Sequence, residues 1–244
     1  MTRFRAALIH LAASALVGAT LLTGFWFIWY PAPFFQAIGG LEIFVYLLVV
    51  DIILGPVLTL IVFDQRKPSL RFDLAVIITV QLSALAYGTY TLYAGRPVYV
   101  AALGHRFDLI QATEIDPQDL AEAGQTLPLW GPKWVGTRRA TDADERQRML
   151  LSAMDGRDYG HFPVYHVPLD AAREDLLRDA KPAAQLREFN KERSNEIDQW
   201  FSRRGLDSSK LVFVGLRARK HDMAVLLDPS TGSVIGVAPF RPWR

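Results

Sequence analysis

One acid in this chain stands where acids are expensive. Asp51 lies midway along a 23-residue apolar run, 41–63, four residues before the pair Gly55-Pro56. If that run is a helix in hydrocarbon, a carboxylate near its centre costs about 3 kcal/mol on insertion scales, so it should face protein. The chemistry open to it is docking of another helix, proton handling, or a paired or protonated acid bonded to His10, Thr59, Thr79 or Gln81. Gly55-Pro56 removes a backbone N–H, frees a carbonyl and lets another helix approach closely. A second charged group, Asp64, Arg66, Lys67, Arg71 and Asp73, fills the ten residues 64–73. Mixed charges there cap helix ends and fix topology, or they form a partner-binding loop.

Other reactive residue types form no recognisable site. There is no cysteine, which excludes disulfides, thiolate catalysis and zinc–thiolate centres. The histidines are His10, His105, His161, His166 and His221. His161 and His166 flank Phe-Pro-Val-Tyr, and that separation in an extended stretch is not a metal-ligand spacing. No Gly-x-Ser-x-Gly elbow and no glycine-rich phosphate loop occurs. Trp130, Trp134, Trp200 and Trp243 read as core or interface residues. We therefore expect no catalytic, cofactor or metal site, and a protein that is not an enzyme.

The elements that must position Asp51 are membrane spans. Three apolar stretches, about 6–30, 41–63 and 74–93, are each long enough to cross a hydrocarbon core. The first follows Arg3 and Arg5 and also fits a secretory leader. It continues past any cleavage point into Phe25-Trp26-Phe27-Ile28-Trp29-Tyr30-Pro31, an interfacial aromatic belt closed by proline, which favours a retained span. Thr23-Gly24-Phe25 superficially fits a prepilin processing site, but the leader before it is not polar and Trp29 stands where such a protein usually has glutamate. Residues 31–40 carry no charge, whereas 64–73 carry Arg66, Lys67 and Arg71. Positive residues stay inside, so the N-terminus and 64–73 should be cytoplasmic and 31–40 outside. Residues 95–244 should then be periplasmic, beyond a bacterial inner membrane. The cytoplasmic parts are too short for a domain with its own core, which excludes a nucleotide-binding or DNA-binding output there.

After Gly95 the chain reads as a soluble α+β domain with 22 of the 27 Lys+Arg and 21 of the 25 Asp+Glu. That near balance argues against nucleic acid, and Arg217, Arg219 and Lys220, with Asp222 and Asp228 nearby, read as a solvated strand face. Val98–Val100 and Phe107–Ile110 predict two short strands around Gly104-His105. Asp116-Pro117 predicts a short helix, and 124–136 a loop. Thr141 predicts an N-cap with Asp144 three residues on and a stripe of Met149, Leu150 and Met154, stopped by Gly156. Residues 157–169 should be extended. Asp170–Arg204 should be helical, broken at Lys181-Pro182, with Leu186, Phe189, Ile197, Trp200 and Phe201 as its apolar face and Gly205 as C-cap. Three strands, about 211–216, 223–227 and 233–237, predict a C-terminal antiparallel sheet with a tight turn at Asp228–Gly232. The expected fold is thus a membrane protein in which 1–94 forms three transmembrane helices and 95–244 a small periplasmic α+β domain.

The pair of apolar stretches 41–63 and 74–93, with the charged residues between them, resembles the TfpX/TfpZ family of type IV pilin accessory proteins. The likeness is carried by Asp51-Ile-Ile-Leu-Gly-Pro-Val-Leu-Thr-Leu60, Val62-Phe63-Asp64, Lys67, Leu70-Arg-Phe-Asp-Leu74 and Gln81 through Gly88, and continues in Arg96-Pro97-Val98-Tyr99 and Arg106-Phe107. It covers about residues 40–112, is weaker over the first span and is diffuse beyond. The resemblance implies an inner-membrane protein acting on the major pilin during type IV pilus biogenesis, alongside other pilus assembly proteins, and supplies no catalytic residue. Before assembly such a pilin sits in the inner membrane by an apolar N-terminal helix, with its head outside. Asp51, Gly55, Pro56, Asp64, Lys67, Asp73 and Gln81 are the expected partner-binding residues, and the periplasmic domain is expected to select the pilin head. The competing expectation is a small sensor or transporter subunit that uses Asp51 for proton or ion coupling.

Overall fold

The computed structural model describes residues 2–243. Three long helices come first: α1 (Arg3–Trp29), α3 (Gly40–Val62) and α4 (Leu70–Ala94), each long and apolar enough to cross a membrane. A single turn, α2 (Phe34–Ala37), lies between the first two. The last turn of α1, Phe25–Trp29, is π-helical, and so is Val50–Leu54 in the middle of α3. Their large apolar side chains point outward, Leu8, Leu16, Ile61 and Val80 among them. Small residues set the spacing inside. A Cβ on Gly18 would lie 2.5 Å from Leu48, and one on Gly88 would run into Leu47.

Helix α4 ends at Ala94, and β1 (Pro97–Ala102) begins after only Gly95 and Arg96. The strands β2 (Arg106–Gln111), β3 (Lys133–Thr137), β4 (His166–Val167), β5 (Lys181–Pro182), β6 (Val212–Arg217), β7 (Met223–Leu227) and β8 (Val234–Ala238) complete one eight-stranded sheet. Its order is β4-β3-β1-β2-β6-β7-β8, with β5 added to β6. The expected antiparallel triple β6-β7-β8 is present, but it is part of a larger mixed sheet: β2 joins it in parallel at β6, and β3 runs parallel to β1.

Several local expectations shift. The stretch 124–136, expected as loop, delivers β3; its five residues are too short to announce themselves after a Pro- and Gly-rich lead, and pairing with fully buried β1 decides the matter. The stretch 157–169, expected as extended, holds two 3₁₀ turns, Tyr159–His161 and Pro163–Tyr165, before β4. Asp158 caps the first and Pro163 opens the second. Helix α5 (Pro117–Glu122) starts behind the Asp116 cap as expected. Helix α6 (Ala143–Met154) is capped by Asp142, not Thr141, because Asp142 accepts from the Glu145 N–H at 2.8 Å while Thr141 bonds the Glu145 carboxylate. Of its expected stripe only Met149 is buried; Leu150 and Met154 are exposed. The 170–204 region contains α7 (Arg173–Asp179), α8 (Leu186–Phe189) and α9 (Ser194–Arg203). It breaks at Lys181-Pro182, which become β5, and again at Asn190, whose buried amide bonds Leu186 O and both backbone groups of Arg241.

The segment 31–40, expected as an uncharged loop, is a wedge. Phe34, Phe35 and Ala37 are buried together with Phe25, Phe44, Val100, Phe107, Val214 and Val225 in one core. The Ala37 carbonyl accepts from the Lys220 and His221 N–H groups at 3.0 and 3.1 Å, and Lys220 pairs with Glu42. The ends of the long helices therefore form one side of the sheet's own core. The opposite face carries α8 and α9 over β6 and β7, and the Tyr99–Ile110 cluster under α5.

Candidate functional site

Helices α1 and α4 both pack on α3 and touch each other little along their length. At the sheet end they meet through Trp29 and Tyr93, whose rings stand 4.9 Å apart edge to face. At the other end the Arg3 guanidinium pairs with Asp64 at 3.3 Å, tying α1 to the turn between α3 and α4. Between these two closures a lateral groove remains. It consists of two adjoining cavities of about 430 and 540 Å³ that share Val17, Leu82 and Leu85. The walls are apolar: Ile9, Ala13 and Val17 from α1 face Ile78, Leu82, Leu85 and Ala86 from α4.

The floor is polar, and its construction follows from Pro56. The π turn Val50–Leu54 shifts the helix register by one. In that register the carbonyl of Asp51 faces residue 56, a proline with no N–H to give. The orphaned carbonyl is met from α4, where Gln81 Nε2 donates to Asp51 O at 3.4 Å. Gly55 makes this reach possible, since a Cβ there would collide with the Gln81 amide. With its nitrogen committed, Gln81 keeps a buried Oε1 that has no hydrogen-bond partner among the described residues. The Asp51 side chain lines the groove, is only 9% exposed and enters no ion pair among the described residues. His10 and Thr59 complete the floor and are bonded to each other, Nδ1 to Oγ1, at 2.7 Å.

The predicted residues thus separate into two groups. Asp51, Gly55 and Gln81 come together, with Pro56 buried beside them as the cause of the distortion. Gly55 and Pro56 face inward, so the close approach they allow is taken by this chain's own α4. Asp64, Lys67 and Asp73 lie at the turn and pair locally: Asp64 with Arg3, and Lys67 with Asp73 at 2.5 Å, where Ser69 also donates at 3.2 Å. Of the four groups expected to partner Asp51, Gln81 does so through the backbone, His10 and Thr59 satisfy one another, and Thr79 is exposed on the outer face. The groove walls were not legible in advance, because α1 and α4 are apolar on all sides and no stripe marks the face that lines it.

Three polar side chains hold the junction with the sheet; the sequence marked Tyr30 only within the aromatic belt, Arg96 only within the family resemblance, and Gln111 not at all. Arg96 is buried; its Nη1 donates to Tyr93 O at 3.0 Å, its Nη2 to Pro128 O at 3.3 Å, and its guanidinium stacks 4.1 Å above the Tyr93 ring. Gln111 Nε2 donates to Gly95 O at 2.6 Å, and the Tyr30 hydroxyl to Leu92 O at 2.5 Å. They satisfy the last carbonyls of α4 where the helix stops. In the sheet domain His166 bonds Gly160 O at 2.8 Å and His161 accepts from the Asp158 N–H at 3.1 Å. The basic residues near 217 are met by acids, Arg217 by buried Asp108 and Lys220 by Glu42.

What the groove can do is hold an apolar rod along its length and offer it a carboxylate and an amide oxygen midway. No family model matches the chain, and no solved structure matches it. Among characterised relatives, the fimbrial assembly protein of serogroup I from Dichelobacter nodosus is 29% identical over 228 residues, spanning 90% of this chain and 88% of the relative. The serogroup E1 protein of the same organism is 28% identical over 228 residues, with the same coverage of 90% and 88%. The protein of serogroups C1 and C2 is 37% identical over 94 residues, 38% of this chain and 72% of that relative. A protein built on three long apolar helices, with a lateral groove and a sheet joined to their ends, thus belongs to the family of fimbrial assembly proteins.

Proposed function

We propose that this protein is a non-enzymatic accessory factor of type IV pilus assembly that holds a pilin in the inner membrane by receiving its apolar N-terminal helix in the groove between α1 and α4. The single observation that carries this reading is the groove itself: apolar along most of both walls, open along its side, with Asp51, Gln81, His10 and Thr59 on its floor. The relatives' role in fimbrial assembly and the resemblance of the α3–α4 hairpin to pilin accessory proteins support it. The charge asymmetry of the short connections supports a cytoplasmic N-terminus and a periplasmic sheet domain. Inside a bilayer a docking helix gains no hydrophobic energy, because it leaves lipid as apolar as the groove. Packing and the polar floor must supply the affinity, and a hydrogen bond there contributes about 1 kcal/mol. Holding is therefore transient, which suits a factor that must release its subunit. The sheet, fixed to the helix ends, would meet the pilin head at a set position.

A photo-crosslinking residue at Leu85, on the groove wall, should trap pilin in cells, whereas the same residue at Val80, exposed on α4 outside the groove, should not. If position 85 crosslinks only within the chain or to lipid while pili form normally, the reading fails. One observation favours a second reading: His10 and Asp51, both ionisable, share the groove floor. A sensor or transporter subunit moving protons would need such a pair.

A further inference from the structure

Leu129 and Trp130 are large, apolar, and 64% and 74% exposed. Such a pair on a soluble surface would ordinarily sit on a loose loop, but the turn that carries them is held on three sides. Before it, Leu127 packs into the Tyr99 cluster and the Pro128 carbonyl accepts from buried Arg96. After it, the Gly131 N–H donates to Ile28 O at 2.8 Å, and a Cβ on Gly131, which sits at φ +46°, would lie 3.6 Å from Pro31. The turn is thus bridged between the end of α4, through Arg96 and Tyr93, and the end of α1.

These contacts and the strand that follows set its height. β1 leads away from α4, and β3 runs parallel to it with Lys133 opposite Tyr99. The turn comes just before Lys133, and its bonds to Arg96 and to Ile28 O hold it beside Arg96, two residues beyond the end of α4. Within about one turn of their ends the helices display Trp26, Phe27 and Tyr90 outward. Helix α6 provides the contrast. Leu150, Leu151 and Met154 are comparably exposed there, but that helix is held to the sheet domain, by Arg138, just past the far end of β3, to Glu145 at 2.7 Å and by Arg148 to Glu122 of α5 at 2.9 Å, and not to either helix end.

We propose that the Leu129–Trp130 turn is a membrane-interface anchor, which lays the sheet domain on the headgroup layer of the leaflet its helices emerge from. The proposal rests on the reading that the helices cross a bilayer, but not on the identity of any protein partner. An indole at this height places its ring against acyl chains and its N–H in the headgroups, the arrangement that enriches tryptophan at bilayer interfaces. The aromatic belt of α1 and α4 thereby continues onto the sheet domain. Arg96, holding Pro128 against Tyr93, is the positioning residue that keeps the turn in the interfacial plane. With the domain pinned through both helix ends and this turn, it cannot tilt away from the groove.

The absence of native cysteine makes the test direct. The full chain, carrying one spin-labelled cysteine as V80C, W130C or L150C, is placed in nanodiscs of phosphatidylethanolamine and phosphatidylglycerol. Accessibility to oxygen and to a water-soluble nickel chelate gives the depth of each label. The label at 80 should see oxygen alone and the label at 150 the chelate freely; the label at 130 should lose most of the chelate accessibility seen at 150 and be broadened by headgroup-level spin-labelled lipid. In unlabelled protein, Trp130→Phe should remove a component of tryptophan quenching by lipids brominated near the headgroup. A label at 130 as chelate-exposed as that at 150, with 80 in lipid, overturns the anchor. So does protection at 130 that arises only when purified pilin is added, which would make the turn a protein contact. A chelate-exposed label at 80 overturns the bilayer reading, and the anchor with it.

Discussion

In α1, α3 and α4 the side chains of Leu16, Phe27, Ile61 and Phe72 are between 67 and 78% exposed, while Asp51 and Thr59 are buried. In the sheet domain Phe107, Leu216 and Leu226 are fully buried, and the acids and bases lie mostly outside. The two regions use the same residue types in opposite places, which is what the proposed bilayer setting of the helices requires. In water, burial of apolar area drives the sheet together. In hydrocarbon that drive vanishes, and close approach at Gly18, Gly55 and Gly88 with a few polar contacts must do the same work. The core shared by Phe25, Phe35 and Phe44 with Val100 and Val225 is where the two regimes meet. It makes the molecule one body.

The contrast breaks most visibly in the core of the sheet. Leu226→Ala, at a fully buried position in β7, should cost about 2–5 kcal/mol. Leu16→Ala, on the outer face of α1, should cost within about 0.5 kcal/mol. Thermal or denaturant unfolding of the full chain in detergent or nanodiscs, followed by the strand signal, compares them. Equal costs would mean that the exposed apolar face of α1 is covered by something other than solvent or lipid.

Asp51 sharpens the comparison at the next scale. Replacing it by leucine removes the costliest group from the helix region, so the chain itself should fold as well as before or better. Holding of a partner helix should nonetheless weaken by about 1 kcal/mol, roughly fivefold in crosslink yield at low occupancy. Asp51→Asn keeps a hydrogen-bonding group but removes the ionisable one. Full pilus assembly in Asp51→Asn with a partial defect in Asp51→Leu supports docking. Loss of a proton-coupled flux in Asp51→Asn, with pili unchanged, favours transport.

Much of the fold could be read beforehand, because the strongest signals are long. Runs such as 41–63 need no partner to announce a helix, and the turn Asp228–Gly232 carries its own hydrogen-bond chemistry. What escaped depends on partners distant in sequence. β3 exists because β1 lies beside it, and the wedge at Phe34-Phe35 exists because the sheet offers a face to fill. Of the candidate site, Asp51 and Gln81 were visible as polar residues out of place. The groove was not, since its walls differ from the outward-facing apolar residues only in what stands opposite. The π turn was hidden too. It follows from Pro56, but only when the count of N–H donors is taken against an actual register.

The smallest effect lies farthest from the membrane question, at the tip of the β7–β8 hairpin. Asp228 is in an exposed turn, where its carboxylate accepts from the Ser230 hydroxyl at 2.5 Å and from the Thr231 and Ser230 N–H groups, both at 2.8 Å. These donors hold its carboxyl down at about 2. The folded value lies below the usual carboxylate value of about 3.9, so protonation favours the opened turn. The contribution is complete above about pH 4 and is lost as pH falls through about 2. Amide-exchange protection factors for Thr231 and Gly232 should therefore fall across that window while those of Leu226 and Val225 in β7 hold. Asp228→Ala should show the low-protection turn already at neutral pH, with the strand register of β7 and β8 intact. Protection that stays flat from pH 5 to about 2 would mean the turn is held by the strands alone, and that the tip of the sheet needs no carboxylate.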